Sequence, residues 1–182
     1  MDLYRERGYD QTTVAEIAAR AGLTERTFFR YFADKREVLF SGSTILKDIL
    51  VDEVAAAPAT MAPIDVVAAA LEATAPMFEA RRDRARRRQD LIEAHADLKE
   101  RELIKLATLA SALKDALRIR GVPAPAASLA ADAGMAIFKS AFERWLDDVK
   151  KRDIAYHVRE SLGELKSVTS GVVARKTRTV RR

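Results

Sequence analysis

The side chain with the most specific chemistry in this sequence is Arg26, two residues after a Thr24 placed to cap a helix. A guanidinium there can pair two-pronged with guanine O6 and N7 in a major groove, worth about 1–3 kcal/mol of discrimination against a wrong base. At about 100° per residue, Arg26, Thr27, Phe29 and Arg30 point to one side of segment 25–32. Phe28, Tyr31 and Phe32 point to the other, expected to be the inward side. Phe29 offers an apolar contact to a thymine methyl or a sugar, and the hydroxyls of Thr13, Thr24 and Thr27 can donate to phosphate. Glu25 can accept from cytosine N4 but repels phosphate, so it ranks below the others. The competing reading takes the same residues as helix caps, core aromatics and solvated arginines.

These side chains need a rigid mount, and the flanking sequence supplies one. Residues 1–7 read as the end of a helix stopped by Gly8. Thr13-Val14-Ala15-Glu16 is a capping box that opens a helix to about Ala21. Gly22-Leu23-Thr24 reads as a tight turn, with Thr24 capping the next helix. Ala18 is small enough for two helices to cross closely, while Ile17, Ala21, Leu23, Phe28 and Tyr31 are expected to bury apolar surface. Two short helices joined in this way form a helix-turn-helix. Asp34-Lys35-Arg36-Glu37 reads as a second capping box, opening a helix to about 56.

The composition narrows what else is possible. Among 182 residues, 48% are hydrophobic, and 32 Lys+Arg against 27 Asp+Glu give a net charge of +5. There is no Cys, which excludes disulfides, cysteine zinc sites and thiol nucleophiles. Neither His95 nor His157 has a second ligand at metal spacing, so no metal and no cofactor is expected. No glycine-rich phosphate loop, nucleophile elbow or carboxylate pair is present, and an enzyme is not expected. No apolar run is long enough to cross a bilayer, and a charged segment follows Met1, so no secretory signal and a cytoplasmic location are expected.

Strand signals are scarce, and the expected fold class is all-α. After a connection at Pro58–Pro63, apolar residues recur at helical spacing at Ile64, Val67, Leu71, Ala75 and Phe78, with a kink expected at Pro76. Further helices are expected over 83–96, through Leu103–Leu117 until Gly121, and from Pro125 to about Lys151. A last helix carries a stripe from Ile154 to Val172, and the basic end Arg175–Arg182 is expected to fray.

The run Gly8-Tyr9-Asp10-Gln11-Thr12-Thr13-Val14-Ala15-Glu16-Ile17-Ala18, then Ala21-Gly22-Leu23-Thr24, then Thr27-Phe28-Phe29-Arg30-Tyr31-Phe32-Ala33-Asp34-Lys35 resembles the TetR family of bacterial transcriptional regulators. The likeness is specific over about the first 50 residues. Beyond them it rests on helix number and length, loosely like the branch with acyl-CoA-like ligands. The resemblance implies an N-terminal three-helix helix-turn-helix DNA-binding domain, expected over 1–47. It implies a C-terminal helical bundle for ligand binding and dimerisation over 48–182. It also implies a double-stranded DNA operator and a homodimer through the last two helices. Tyr31 and Lys35 match family positions that touch the DNA backbone. Against the family pattern, Met1 falls inside the first helix. Residues 1–47 carry eight Lys+Arg and seven Asp+Glu, a net of only +1.

The second half offers a wall for a small molecule. Phe138, Phe142 and Trp145 form one stripe of one helix. With Met61, Leu71, Met77, Phe78, Leu103, Leu106, Leu109 and Met135 they would enclose a mostly apolar pocket. Thr74, Glu93, His95, Ser111 and Glu143 are the candidate polar groups; the simpler reading is core or dimer packing. Arg81–Arg88 holds six Arg and one Asp, suited to an anionic head group or, more plainly, to pairing with acids such as Asp90 and Glu93. His157 is expected at an interface or the surface. The function these features suggest is a ligand-responsive repressor, released from a pseudo-palindromic operator by a small lipophilic effector. The alternative is a helical small-molecule-binding protein with a vestigial DNA-binding domain.

Overall fold

The computed structural model describes residues 2–79 and 81–170, and among them there are ten α-helices, one 3-10 helix and no strand. The basic end and Val172 lie outside the described residues. None of the described helices is long and apolar enough to cross a membrane.

Helix α1 (Asp2–Arg7) stops at Gly8, whose φ of +82° favours glycine. Helix α2 (Val14–Arg20) opens with the expected capping box: Glu16 N–H donates to Thr13 Oγ1 at 3.3 Å and Thr13 N–H to Glu16 Oε2 at 2.9 Å. Gly22, at φ +69°, turns the chain into α3 (Glu25–Tyr31), which Thr24 caps by accepting from Thr27 N–H. Ala18 is fully buried where α2 meets α3. Phe28 is the one fully buried side chain of α3. Tyr31 is 66% exposed and Leu23 44% exposed, and Ala21 is exposed as well, contrary to the inward positions expected for them. A helix of two turns buries only the narrow face that meets its neighbour, and Phe28 fills it.

The expected continuous helix from 34 to 56 is broken. Asp34 caps a 3-10 helix (Lys35–Phe40), accepting from Arg36 and Glu37 N–H, and α4 (Ser43–Ala56) begins only after Gly42. Glu37 does not return its carboxylate to Asp34, as a capping box would require; Arg101 and Lys105 take it. Glycine's poor helix propensity places the joint at Gly42.

Helix α5 (Pro63–Ala73) starts with Pro at its first position and buries Val66, Val67, Ala68, Ala70 and Leu71. The chain breaks at Thr74 before the short α6 (Ala75–Glu79), which contains Pro76. Then come α7 (Arg82–Ala94), α8 (Ala96–Ile119), α9 (Ala124–Asp147) and α10 (Ile154–Thr169). Arg120, just past α8, donates to the carbonyls of Val54, Ala57 and Pro58, satisfying the open end of α4.

Two apolar clusters result. The larger joins α4, α5, α8, α9 and α10 around Leu50, Leu71, Leu113, Leu117 and Trp145. The smaller holds Tyr4, Tyr9, Leu39 and Phe40 together with Ile92 and Leu98 of α7 and α8. Helices α5 and α9 approach so closely that a Cβ on Gly134 would lie 2.3 Å from Val67 Cγ1. Gly134→Ala should therefore lower the stability by about 1–3 kcal/mol through overpacking. Urea unfolding checks this, and pairing the change with Val67→Ala should recover part of the loss.

Candidate nucleic-acid interface and its link to the helical body

The outward face of α3 is built as its residue phases require. Glu25, Arg26, Arg30 and Tyr31 are exposed, and so is Phe29, at 54%. Thr27 is half-buried, its hydroxyl 3.1 Å from that of Thr24. Thr13 and Thr24 are exposed at the starts of α2 and α3 while also serving as caps. Arg30 lies over the Tyr31 ring and donates to its hydroxyl at 3.2 Å, which holds both side chains on the surface.

Most other cations of this region are engaged. Arg7 pairs with Glu16, Arg20 with Glu6 at 2.8 Å, and Arg36 with Asp34 at 2.5 Å. Arg26 has no ion-pair partner among the described residues, so its fork remains available to an outside acceptor. Lys35 differs from its expected place on the DNA backbone. Its ammonium donates to the carbonyls of Tyr9, Asp10 and Thr12 at 2.8, 3.2 and 3.2 Å and sits 4.4 Å from the Tyr9 ring centre. The three donors of the ammonium are thereby directed inward, and Lys35 ties the loop before α2 to the 3-10 helix. Tyr4 closes the same knot by donating to the Lys35 carbonyl at 2.7 Å, and burial, with Asp34 nearby, pushes the Tyr4 hydroxyl up to about 12.

The 3-10 helix is clamped to the helical body by ionic and aromatic contacts. Glu37 bonds to Arg101 and, at 2.9 Å, to Lys105 of α8. Burial raises its carboxyl, but the two cations outweigh burial and hold it below the ordinary range. Arg88 of α7 donates to Leu39 carbonyl at 2.9 Å, lies over Phe40 and pairs with Glu102 at 3.2 Å. Burial lowers the Arg88 guanidinium, and Glu102 opposes that shift. Tyr9 donates to Asp97 at 3.1 Å and packs edge-on to His95.

His95 therefore lies at this junction, 3.7 Å from Asp10, and not among the pocket candidates. Most of the other candidates do come together. Met61, Leu71, Phe78, Leu106, Met135, Phe138 and Phe142 belong to the larger cluster, and Thr74 is buried beside them, donating to Leu71 carbonyl. Phe78 is 6.1, 5.8 and 5.7 Å from the ring centres of Phe138, Phe142 and Trp145. Leu103, Glu93, Ser111 and Glu143 face solvent instead. A shallow cleft of about 490 Å3 by Asp115 and Ile119 and one of about 150 Å3 by Tyr4 and Ile17 involve none of the pocket candidates.

The arginine tract divides its work. Arg82 lies over Trp145 and donates to the carbonyls of Asp148 and Arg152; Arg86 pairs with Asp147 at 2.6 Å. Asp90 and Glu93 are not the acids used. His157 is buried against Asp148, not at the surface. The Arg152 guanidinium, with the backbone and His157, holds the Asp148 carboxyl well below the usual carboxylate range.

The arrangement is a helix with one free, fork-shaped cation and an exposed aromatic, mounted on a capped turn. The model for bacterial regulatory proteins of the tetR family matches residues 1–41. This segment is similar to that family. The chain also matches the HTH-type transcriptional regulator TcmR of Streptomyces glaucescens, 32% identical over 73 residues. That match covers 40% of this chain and 32% of TcmR, so the aligned part spans about a third of the curated relative. The whole chain shares its fold with Thermus thermophilus FadR, a TetR-family transcriptional repressor solved with lauroyl-CoA. The TM-score is 0.57 at 24% identity, covering 100% of this chain and 95% of that one. Thermus thermophilus PfmR also matches, with a TM-score of 0.46, 21% identity and coverage of 89% and 91%.

The Glu37 clamp has a defined pH signature. A carboxyl lowered in the folded state contributes stability above its unfolded value, about 4.3, and loses it as pH falls through the folded value. The stability difference between the wild type and Glu37→Gln should thus be full at pH 7 and shrink below about pH 4. Urea unfolding across that range measures it.

Proposed function

We propose that this chain is a ligand-controlled transcriptional repressor acting in the cytoplasm as a homodimer, and that it is not an enzyme. In this reading residues 1–47 read a double-stranded operator, and residues 48–182 bind a small apolar effector and the partner protomer. The observation that carries it is the free, exposed Arg26 fork beside Phe29 and Arg30 on the second helix of a TetR-type helix-turn-helix. Arg26 reads a base edge, Phe29 touches a methyl or sugar, and Thr13, Thr24, Thr27, Arg30 and Tyr31 anchor to phosphates. Lys35 acts from beneath, by fixing the loop that carries Thr13.

Two such helices on one dimer read half-sites about 34–36 Å apart. The proposed interface uses α9 and α10, where Leu129 and Val168 expose large apolar side chains at 72% and 67%. The effector site is the cluster of Met61, Leu71, Thr74, Phe78, Leu106, Met135, Phe138 and Phe142. The FadR likeness supports an acyl-CoA-like effector as one candidate, with the exposed Arg81, Arg84 and Arg87 available to an anionic head.

Coupling follows a short path. Met77 of α6 reaches Gly42, its Cε 3.3 Å from where a Cβ would stand, so movement of α6 bears on the joint between the 3-10 helix and α4. An effector that displaces α6 favours the conformer that does not fit the operator, and by linkage the operator weakens effector binding equally.

Selection of bound duplexes from a randomised pool tests the base-reading role. The wild type should enrich an inverted repeat, and Arg26→Ala should lose preference at one position in each half-site, by about 1–3 kcal/mol. Loss of affinity that is equal for all sequences would contradict the role given to Arg26.

A further inference from the structure

We propose that Trp145 recognises the polar group of the effector: its indole N–H donates to the oxygen of an apolar carbonyl compound. The inference rests on the reading above that the aromatic cluster is the effector site.

Trp145 is wholly buried, and its Nε1 is the buried side-chain polar atom left without a hydrogen-bond partner among the described residues. Leaving a buried donor unpaired weakens the folded state on the order of tenfold, so its retention where a phenylalanine ring would fill similar space calls for a use. Its neighbours offer none. Phe78 and Phe142 present rings at 5.7 and 5.6 Å. Arg82 covers the indole at 4.8 Å but is itself a donor, already turned to the carbonyls of Asp148 and Arg152. Asp148 accepts from Arg152 and His157.

The chemistry of a fitting ligand follows. It brings one acceptor and an otherwise apolar body, because the indole donates and the Phe78 and Phe142 rings beside it offer only weakly accepting faces. It carries no cation at that end, because Arg82 stands beside the indole. Access lies through α6, a five-residue helix with no fully buried residue that carries Phe78 against the indole. Displacing Phe78 exposes Trp145 and moves Met77, which touches Gly42.

Trp145 is the chain's single tryptophan, so a 15N-labelled sample gives one indole N–H signal. The full chain is titrated with benzophenone and with diphenylmethane, which differ by the carbonyl oxygen. The expected result is a downfield shift of the indole proton with benzophenone alone, and about tenfold tighter binding of the ketone by calorimetry. Trp145→Phe should bind both probes equally while keeping its fold by circular dichroism. If the wild type binds both probes equally and the indole proton does not respond to the carbonyl, the role of Trp145 is overturned and the effector site stands. If neither probe binds, both are overturned.

Discussion

Glu37 is caught between Arg101 and Lys105, with Arg88 holding the Leu39 carbonyl and the Phe40 ring from α7. The position of α3 depends on this clamp. The first three helices are short, and their own interior rests mainly on Ala18 and Phe28. They share their aromatic floor, Tyr4, Tyr9, Leu39 and Phe40, with Ile92 and Leu98 of the body. A small helical unit has little core of its own. Packing against α7 and α8 supplies the rest, and half-buried ion pairs aim it. One partner of such a pair cannot be removed cheaply, because the other is left with an uncompensated charge.

The same contacts explain how a helical body can influence the surface of α3 proposed to read DNA. The 3-10 helix touches α8 on one side and runs into the Gly42 joint on the other. Gly42 meets Met77 of α6, and α6 carries Phe78 into the aromatic cluster. A path therefore runs from Trp145 through Phe78 and Met77 to the Gly42 joint, and along the backbone of the 3-10 helix to Glu37. Close packing of α5 on α9 at Gly134 gives this path a stiff backing, since a rigid interior passes displacement on instead of absorbing it.

Much of the N-terminal helical segment was legible in residue types and spacing. Thr13 with Glu16, Gly22 and Ala18 specify caps, a turn and a crossing through local geometry, and these formed as read. The outward phase of Arg26, Phe29 and Arg30 followed from helical periodicity alone. Contacts distant in sequence were not legible. Nothing near Lys35 announces that its ammonium is turned inward to three carbonyls. Glu37 reads locally as a capping-box acid, yet two cations on α8 outcompete the backbone for it. Tyr31 sits on the side of α3 expected to be inward, but only Phe28 found a buried place there. His95 reads as a pocket residue because of Leu91 and Ile92, whereas Tyr9 and Asp10, far upstream, pack beside its ring. The aromatic stripe of α9 was visible, while the unpaired indole N–H was not, since hydrogen-bond satisfaction is a property of the assembled core.

Reading DNA from α3 requires that helix to be held in place. The most direct measurement is fluorescence anisotropy of this chain with duplex from upstream of its own coding region, at two salt concentrations, against a scrambled duplex. Preferential binding to the upstream duplex is expected, with two protomers per site and affinity that falls as salt rises. Equal affinity for both duplexes, or no salt dependence, would contradict it.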